Sequence, residues 1–140
     1  MNDPTTPRDE RGTTALFIVL MTVAMLAAAG LVVDGGAALG DRRTLTNQAE
    51  QAARVGADAL NQDSLRDGGR PSVDPARARA AADAYLRSVG APPATITITG
   101  GRVSVTLKGQ TNTNILALAG LTSISISGTG TAESIDADGL

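Results

Sequence analysis

From Thr14 to Val33 the chain runs for twenty residues without a charge (TALFIVLMTVAMLAAAGLVV). Asp9, Glu10 and Arg11 precede this run and Asp34 follows it. As a helix rising about 1.5 Å per residue, such a run is about 30 Å long, the thickness of a bilayer's hydrocarbon core. The rest of the chain is poor in large apolar side chains, so a soluble domain of this size would have little with which to hide it. Residues 13–34 are therefore expected to form a transmembrane helix. Residues 1–12, rich in proline and charge and without any period, are expected to be a disordered leader.

Past the apolar run, Gly35, Gly36 and Gly40 are weak helix formers, and a bend is most easily accommodated at Gly35-Gly36. Helical periodicity then returns over residues 35–66. Leu45, Ala49, Ala52, Ala53, Gly56 and Leu60 fall on one stripe, while Glu50, Arg54 and Asp58 run down the other face at i,i+4 spacing. A stripe of alanine and glycine offers little apolar area but allows close approach. It is expected to support a head domain or to pack against other copies of the chain. Within the span, the small residues Ala24, Ala27, Ala28 and Gly30, with Phe17 and Leu20, are candidates for packing against lipid or a neighbouring helix.

Residues 67–73 (DGGRPSV) read as a linker, and 74–140 as a small α+β domain. Asp74-Pro75 has the form of an N-cap followed by proline at the first helical position. Ala78, Ala82, Tyr85, Leu86 and Val89 then share a helical face, and Gly90 with Pro92-Pro93 marks the end. Beyond this the period shifts to two. Ile96 and Ile98 alternate with threonines, and after Gly100-Gly101 so do Val103, Val105 and Leu107 with polar residues, which predicts a hairpin on a two-residue turn. A turn over 109–114, a short apolar helical turn (ILALAG) and a third strand from Thr122 to about Glu133 complete the pattern. The expected fold is α+β, with a long N-terminal helix, then one helix (Pro75–Val89) covering the apolar face of a three-stranded antiparallel sheet.

Composition narrows the function. The chain has no cysteine and no histidine, so thiol chemistry and the usual neutral-pH general base are absent. The aromatics are Phe17 and Tyr85 alone, which argues against base- or sugar-stacking platforms, and the net charge of −2 comes with no basic run for nucleic acid. No enzymatic role, cofactor or small-molecule substrate is expected. Asp136 and Asp138 (SIDADGL) resemble the opening of a calcium loop but lack the further oxygens that calcium requires, so no metal site is expected. Asp34 is expected to mark where the helix meets headgroups, although a carboxylate at that boundary can also be functional.

Several polar features keep a fixed spacing to the apolar run. They are Arg11-Gly12 before it, Val33-Asp34 after it, Arg42-Arg43 with Leu45, Asn47 and Gln48, and the alanine-rich repeat ending Gly56-Ala57-Asp58-Ala59-Leu60. In these features residues 8–62 closely resemble the N-terminal segment of Tad/Flp pilus-assembly proteins of the TadE and TadG type, the pilin-like minor components of tight-adherence pili. The resemblance implies a pilin-like helix, cleavage by a prepilin-type peptidase between Gly12 and Thr13, and anchoring in the cytoplasmic membrane by a single pass. It further implies an extracytoplasmic C-terminal domain, partners among other pilin-like or Tad subunits, and assistance to, or incorporation in, a surface fibre. The chain departs from the family at Phe17, the fifth mature position, where pilins and TadE-like members carry a glutamate. That departure argues against a main shaft subunit and places the chain nearer the TadG-like branch.

Two alternatives share the same sequence. Arg8 and Arg11, the apolar run and Ala27-Ala28-Ala29 could instead form a secretory signal peptide, with cleavage after Ala29 releasing a secreted α+β binding domain. The chain could also be a simple single-pass tether whose domain is a spacer.

Overall fold

The computed structural model describes residues 10–59 and 74–134, with the side chains of Glu10 and Arg11 excepted. The leader before residue 10, Leu60, the linker 67–73 and the Asp136/Asp138 pair lie outside the described residues. Helix α1 (Glu10–Ala57) is one continuous element of 48 residues. Helix α2 (Pro75–Ser88) follows, then strands β1 (Ala94–Thr99) and β2 (Arg102–Asn112), a 3₁₀ turn at Leu116–Ala119, and β3 (Ser123–Glu133). The sheet is antiparallel throughout, in the order β1-β2-β3. The architecture is thus α+β with a long apolar N-terminal helix.

Local chemistry accounts for the boundaries. The Asp74 carboxylate accepts hydrogen bonds from the backbone N–H groups of Ala76 (2.9 Å) and Arg77 (3.2 Å), with Pro75 in the first helical position. Gly90 leaves α2 with φ +63°, and Gly100 and Gly101 turn the hairpin with φ +57° and +83°, the pair of positive values that a two-residue hairpin turn requires. Helix α1 ends at Ala57, short of the end its stripe suggested. There the Ala59 N–H reaches back only three residues, to the Gly56 carbonyl, and the Ala59 carbonyl accepts from the Asp74 N–H.

The sheet is covered differently from the expected single helix. The second half of α1 lies over β3 and β2, while α2 packs on α1 and reaches only the β1 side, where the Arg79 guanidinium donates to the Ile96 carbonyl (2.9 Å). The core combines Leu45, Ala49, Ala52, Ala53 and Ala57 of α1, Ala78, Ala82 and Leu86 of α2, and Ile96, Val103, Val105 and Leu107 of the sheet. Two glycines of β3 make the seat for α1. A Cβ on Gly128 would stand 2.4 Å from the Thr46 nitrogen, and one on Gly130 would stand 2.2 Å from the Glu50 nitrogen, so helix backbone rests on strand backbone. The opposite face of the sheet is hydroxylic. Thr106 and Thr129 hydroxyls pair at 3.2 Å, Thr131 donates to Ser104 at 3.3 Å, and Arg102 pairs with Glu133 near the hairpin end.

Strand β2 also runs further than expected. The segment 109–112, read as a turn, stays in register with Ser123–Ile126. Its inward positions are polar, which hid the continuing alternation. Thr111 is buried with its hydroxyl donating to Asp41 (2.8 Å), and Thr113 donates to the Leu121 carbonyl.

Because helix backbone fills the space above Gly130, Gly130→Ala should lower stability by about 1–3 kcal/mol. Gly36→Ala, where a Cβ meets nothing within 4 Å, should raise it by about 0.5–1 kcal/mol through helix propensity. Denaturant unfolding of the detergent-solubilised chain, followed by circular dichroism, measures both.

Candidate anchor helix and its junction with the head

Between Gly12 and Val33, α1 is exposed on every side except at Gly30. Phe17, Leu20 and Leu26 each leave about three-fifths of their surface uncovered, and Ala24, Ala27 and Ala28 are exposed as well. A helix that is apolar all round and bare all round is made for surroundings other than water. The hydroxyl of Thr22 is satisfied within the helix, donating to the Ile18 carbonyl at 2.8 Å, as a hydroxyl in an apolar medium must be. Gly12 and Thr13 lie in the exposed first turns. Phe17 presents its ring to the surroundings where the resemblance would call for a carboxylate.

The head meets this helix where the apolar run ends. Gly30 is buried because Ile115, at the start of the 3₁₀ turn, sits on it; a Cβ there would come within 2.6 Å of Ile115 Cγ2. One helical turn further on, Asp34 is 1% exposed. Its Oδ1 accepts from the N–H of Asn114 (3.0 Å), and its Oδ2 accepts from Ile115 (3.0 Å) and Leu116 (2.7 Å). A carboxylate facing three converging N–H groups forms strong, charge-assisted bonds and acts as an N-cap supplied from 80 residues away in sequence. Asp34 is therefore turned inward, not out to headgroups, because these donors compensate its burial. Two turns higher, Asp41 accepts from Thr111, making a second brace between helix and head.

The remaining residues singled out from the sequence sit in the head. Leu45, Ala49 and Ala52 are in its core, and Gly56 is buried at the crossing with α2, where a Cβ would stand 3.2 Å from the Ala78 carbonyl oxygen and 3.1 Å from Val103. The extension thus faces this chain's own sheet. Asp34, Gly128 and Gly130 are the structural determinants that the sequence pattern did not reveal. Among the described residues, no group of three Asp or Glu is placed to hold a metal ion.

Residues 12–59 match the Tad family model, described as "Putative Flp pilus-assembly TadE/G-like". The long helix is thus similar to the N-terminal segment of TadE/G-like proteins. The match ends within two residues of the end of α1, so the TadE/G-like segment comprises both the bare apolar half and the half built into the head. No curated protein and no solved structure matches the chain. A helix long and apolar enough to cross a membrane, in a TadE/G-like segment, fits a membrane-anchored protein related to pilus assembly.

Removing the carboxylate strands three N–H groups in the junction. Asp34→Ala should destabilise the chain by about 2–3 kcal/mol, with Asp34→Asn intermediate because one acceptor oxygen survives. Amide hydrogen exchange at Asn114, Ile115 and Leu116 should speed up in both variants relative to the amides of β2.

Proposed function

We propose that this chain is a pilin-like minor component of a Tad/Flp-type pilus or a related secretion assembly, held in the cytoplasmic membrane by a single pass. The observation that carries this reading is the division of one continuous TadE/G-like helix into two halves. The first is bare and apolar all round, while the second is built into a folded head. The head is on the extracytoplasmic side and the role is non-enzymatic. The partners are other pilin-like or Tad subunits, which meet the span along Phe17, Leu20, Ala24, Ala27 and Ala28.

A prepilin-type peptidase cuts between Gly12 and Thr13 before assembly. Phe17 leaves no buried carboxylate to pair with a neighbouring subunit's amine, in keeping with a minor rather than a shaft subunit. A glutamate in hydrocarbon is costly without such a partner, so its replacement by phenylalanine suits a helix that resides in lipid.

The test is the N-terminal residue and the fractionation of the native protein. Intact-mass measurement should find residues 1–12 missing from a membrane-bound species, and affinity capture should recover pilus subunits with it. A freely soluble species beginning at Gly30 would refute the proposal in favour of a secreted domain. A membrane-bound chain retaining residue 1 and no pilus partner would leave a plain tether.

A further inference from the structure

We propose that the turn between β2 and β3, residues 114–121 (NILALAGL), is a second membrane contact that dips into the bilayer surface beside the anchor helix. The inference rests on the reading of α1 as a membrane span and adds to it a lipid-binding site in the head. Leu118 is 90% exposed and Leu121 59% exposed, a poor arrangement in water for the tip of a loop with no charge from residue 109 to residue 132. Most of the turn's N–H groups are already paired. The N–H groups of Asn114, Ile115 and Leu116 go to Asp34, and those of Leu118, Gly120 and Leu121 go to carbonyls within the turn. A segment entering a low-dielectric layer needs its polar groups paired in this way, and a loop lying in water does not.

Position selects lipid over a protein partner. The turn is held to α1 by Ile115 on Gly30, inside the apolar run and four residues below Asp34. Along a helix axis that is roughly 6 Å below the end of the span, within the depth of about 5–10 Å that interfacial apolar segments reach. The exposed leucines lie within six residues of that contact, and Leu31, Val32 and Val33 at the same level of α1 are bare as well. Two contacts, span and turn, fix the tilt of the head on the membrane, with the Gly100-Gly101 hairpin at the far end of β2, roughly 35 Å from the turn.

The absence of cysteine makes a direct test simple. The full chain is reconstituted in phosphatidylcholine–phosphatidylglycerol vesicles as single variants Leu118→Cys, Met25→Cys and Thr97→Cys, each carrying an environment-sensitive nitrobenzoxadiazole label. Lipids with a shallow doxyl group and aqueous iodide serve as the two quenchers. The Leu118 label should emit to the blue of the Thr97 label, be quenched by doxyl lipid and be shielded from iodide. Equal iodide quenching at Leu118 and Thr97, with Met25 quenched by doxyl, would overturn the lipid contact while leaving the anchor intact. Shielding from iodide without doxyl quenching would mean that protein covers the turn, and would overturn it equally. A Met25 label untouched by doxyl lipid would refute the span itself, and this inference with it.

Discussion

The head cannot close its core without the second half of α1, and the rest of the structure follows from that. Its sheet supplies Ile96, Val103, Val105 and Leu107 to the interior, and α2 adds two alanines and a leucine. The remainder comes from the second half of the same helix that carries the apolar run. Four of the five buried apolar residues on that half are alanines, each contributing little apolar area. Cohesion must then come from proximity, and Gly128 and Gly130 allow it by letting helix backbone touch strand backbone, where many weak dispersion contacts accumulate. The anchor and the head are one folded unit, with no linker between them to absorb motion.

The junction shows how such a unit tolerates three glycines in mid-helix. Gly35, Gly36 and Gly40 each cost helix stability, and nothing within 4 Å would obstruct a side chain at any of them. Yet α1 runs through them without interruption. Asp34 below and Asp41 above bind the helix to the turn and to β2, so the weak stretch is clamped at both ends. Helix propensity is overridden by tertiary bonds, and the glycine stretch stays helical between two braces.

Much of this fold was legible because local signals agreed. Twenty uncharged residues, an Asp-Pro cap, a Gly-Gly turn and alternation at Ile96–Ile98 and Val103–Leu107 each specify an element from its own residues. What stayed hidden depends on pairs distant in sequence. Asp34 reads locally as a boundary carboxylate, and only the fold brings it under the N–H groups of residues 114–116. Gly128 and Gly130 give no local signal, because the absence of a side chain carries no sign of which backbone will occupy the space. Thr111 and Thr113 interrupt the apolar alternation while keeping its geometry, so β2 seemed to stop four residues early. The cover of the sheet was misassigned for a related reason. An alanine stripe looks too weak to be a core face unless its partner has glycines.

The side on which the head attaches also constrains how neighbours can approach the span. Gly30, Asp34, Asp41, Leu45, Ala49, Ala52 and Gly56 recur at three-, four- and seven-residue intervals and so form one stripe of α1, all of it occupied by the head. At 3.6 residues per turn, Ala27 and Leu20 continue that stripe down into the apolar half, directly beneath the turn that carries Ile115. A sister helix lying on Ala27 would meet the turn at its upper end and could not run alongside α1 much past Gly30. Phe17, Ala24 and Ala28, at i, i+7 and i+11, fall on a second line roughly a quarter-turn away, exposed at all three positions and meeting the head higher up, where Ala53 on the same line is buried. If subunits pack through this span as proposed, that second line is the one a neighbouring helix can follow through the apolar half, and the alanines at 24 and 28 are what let it come close.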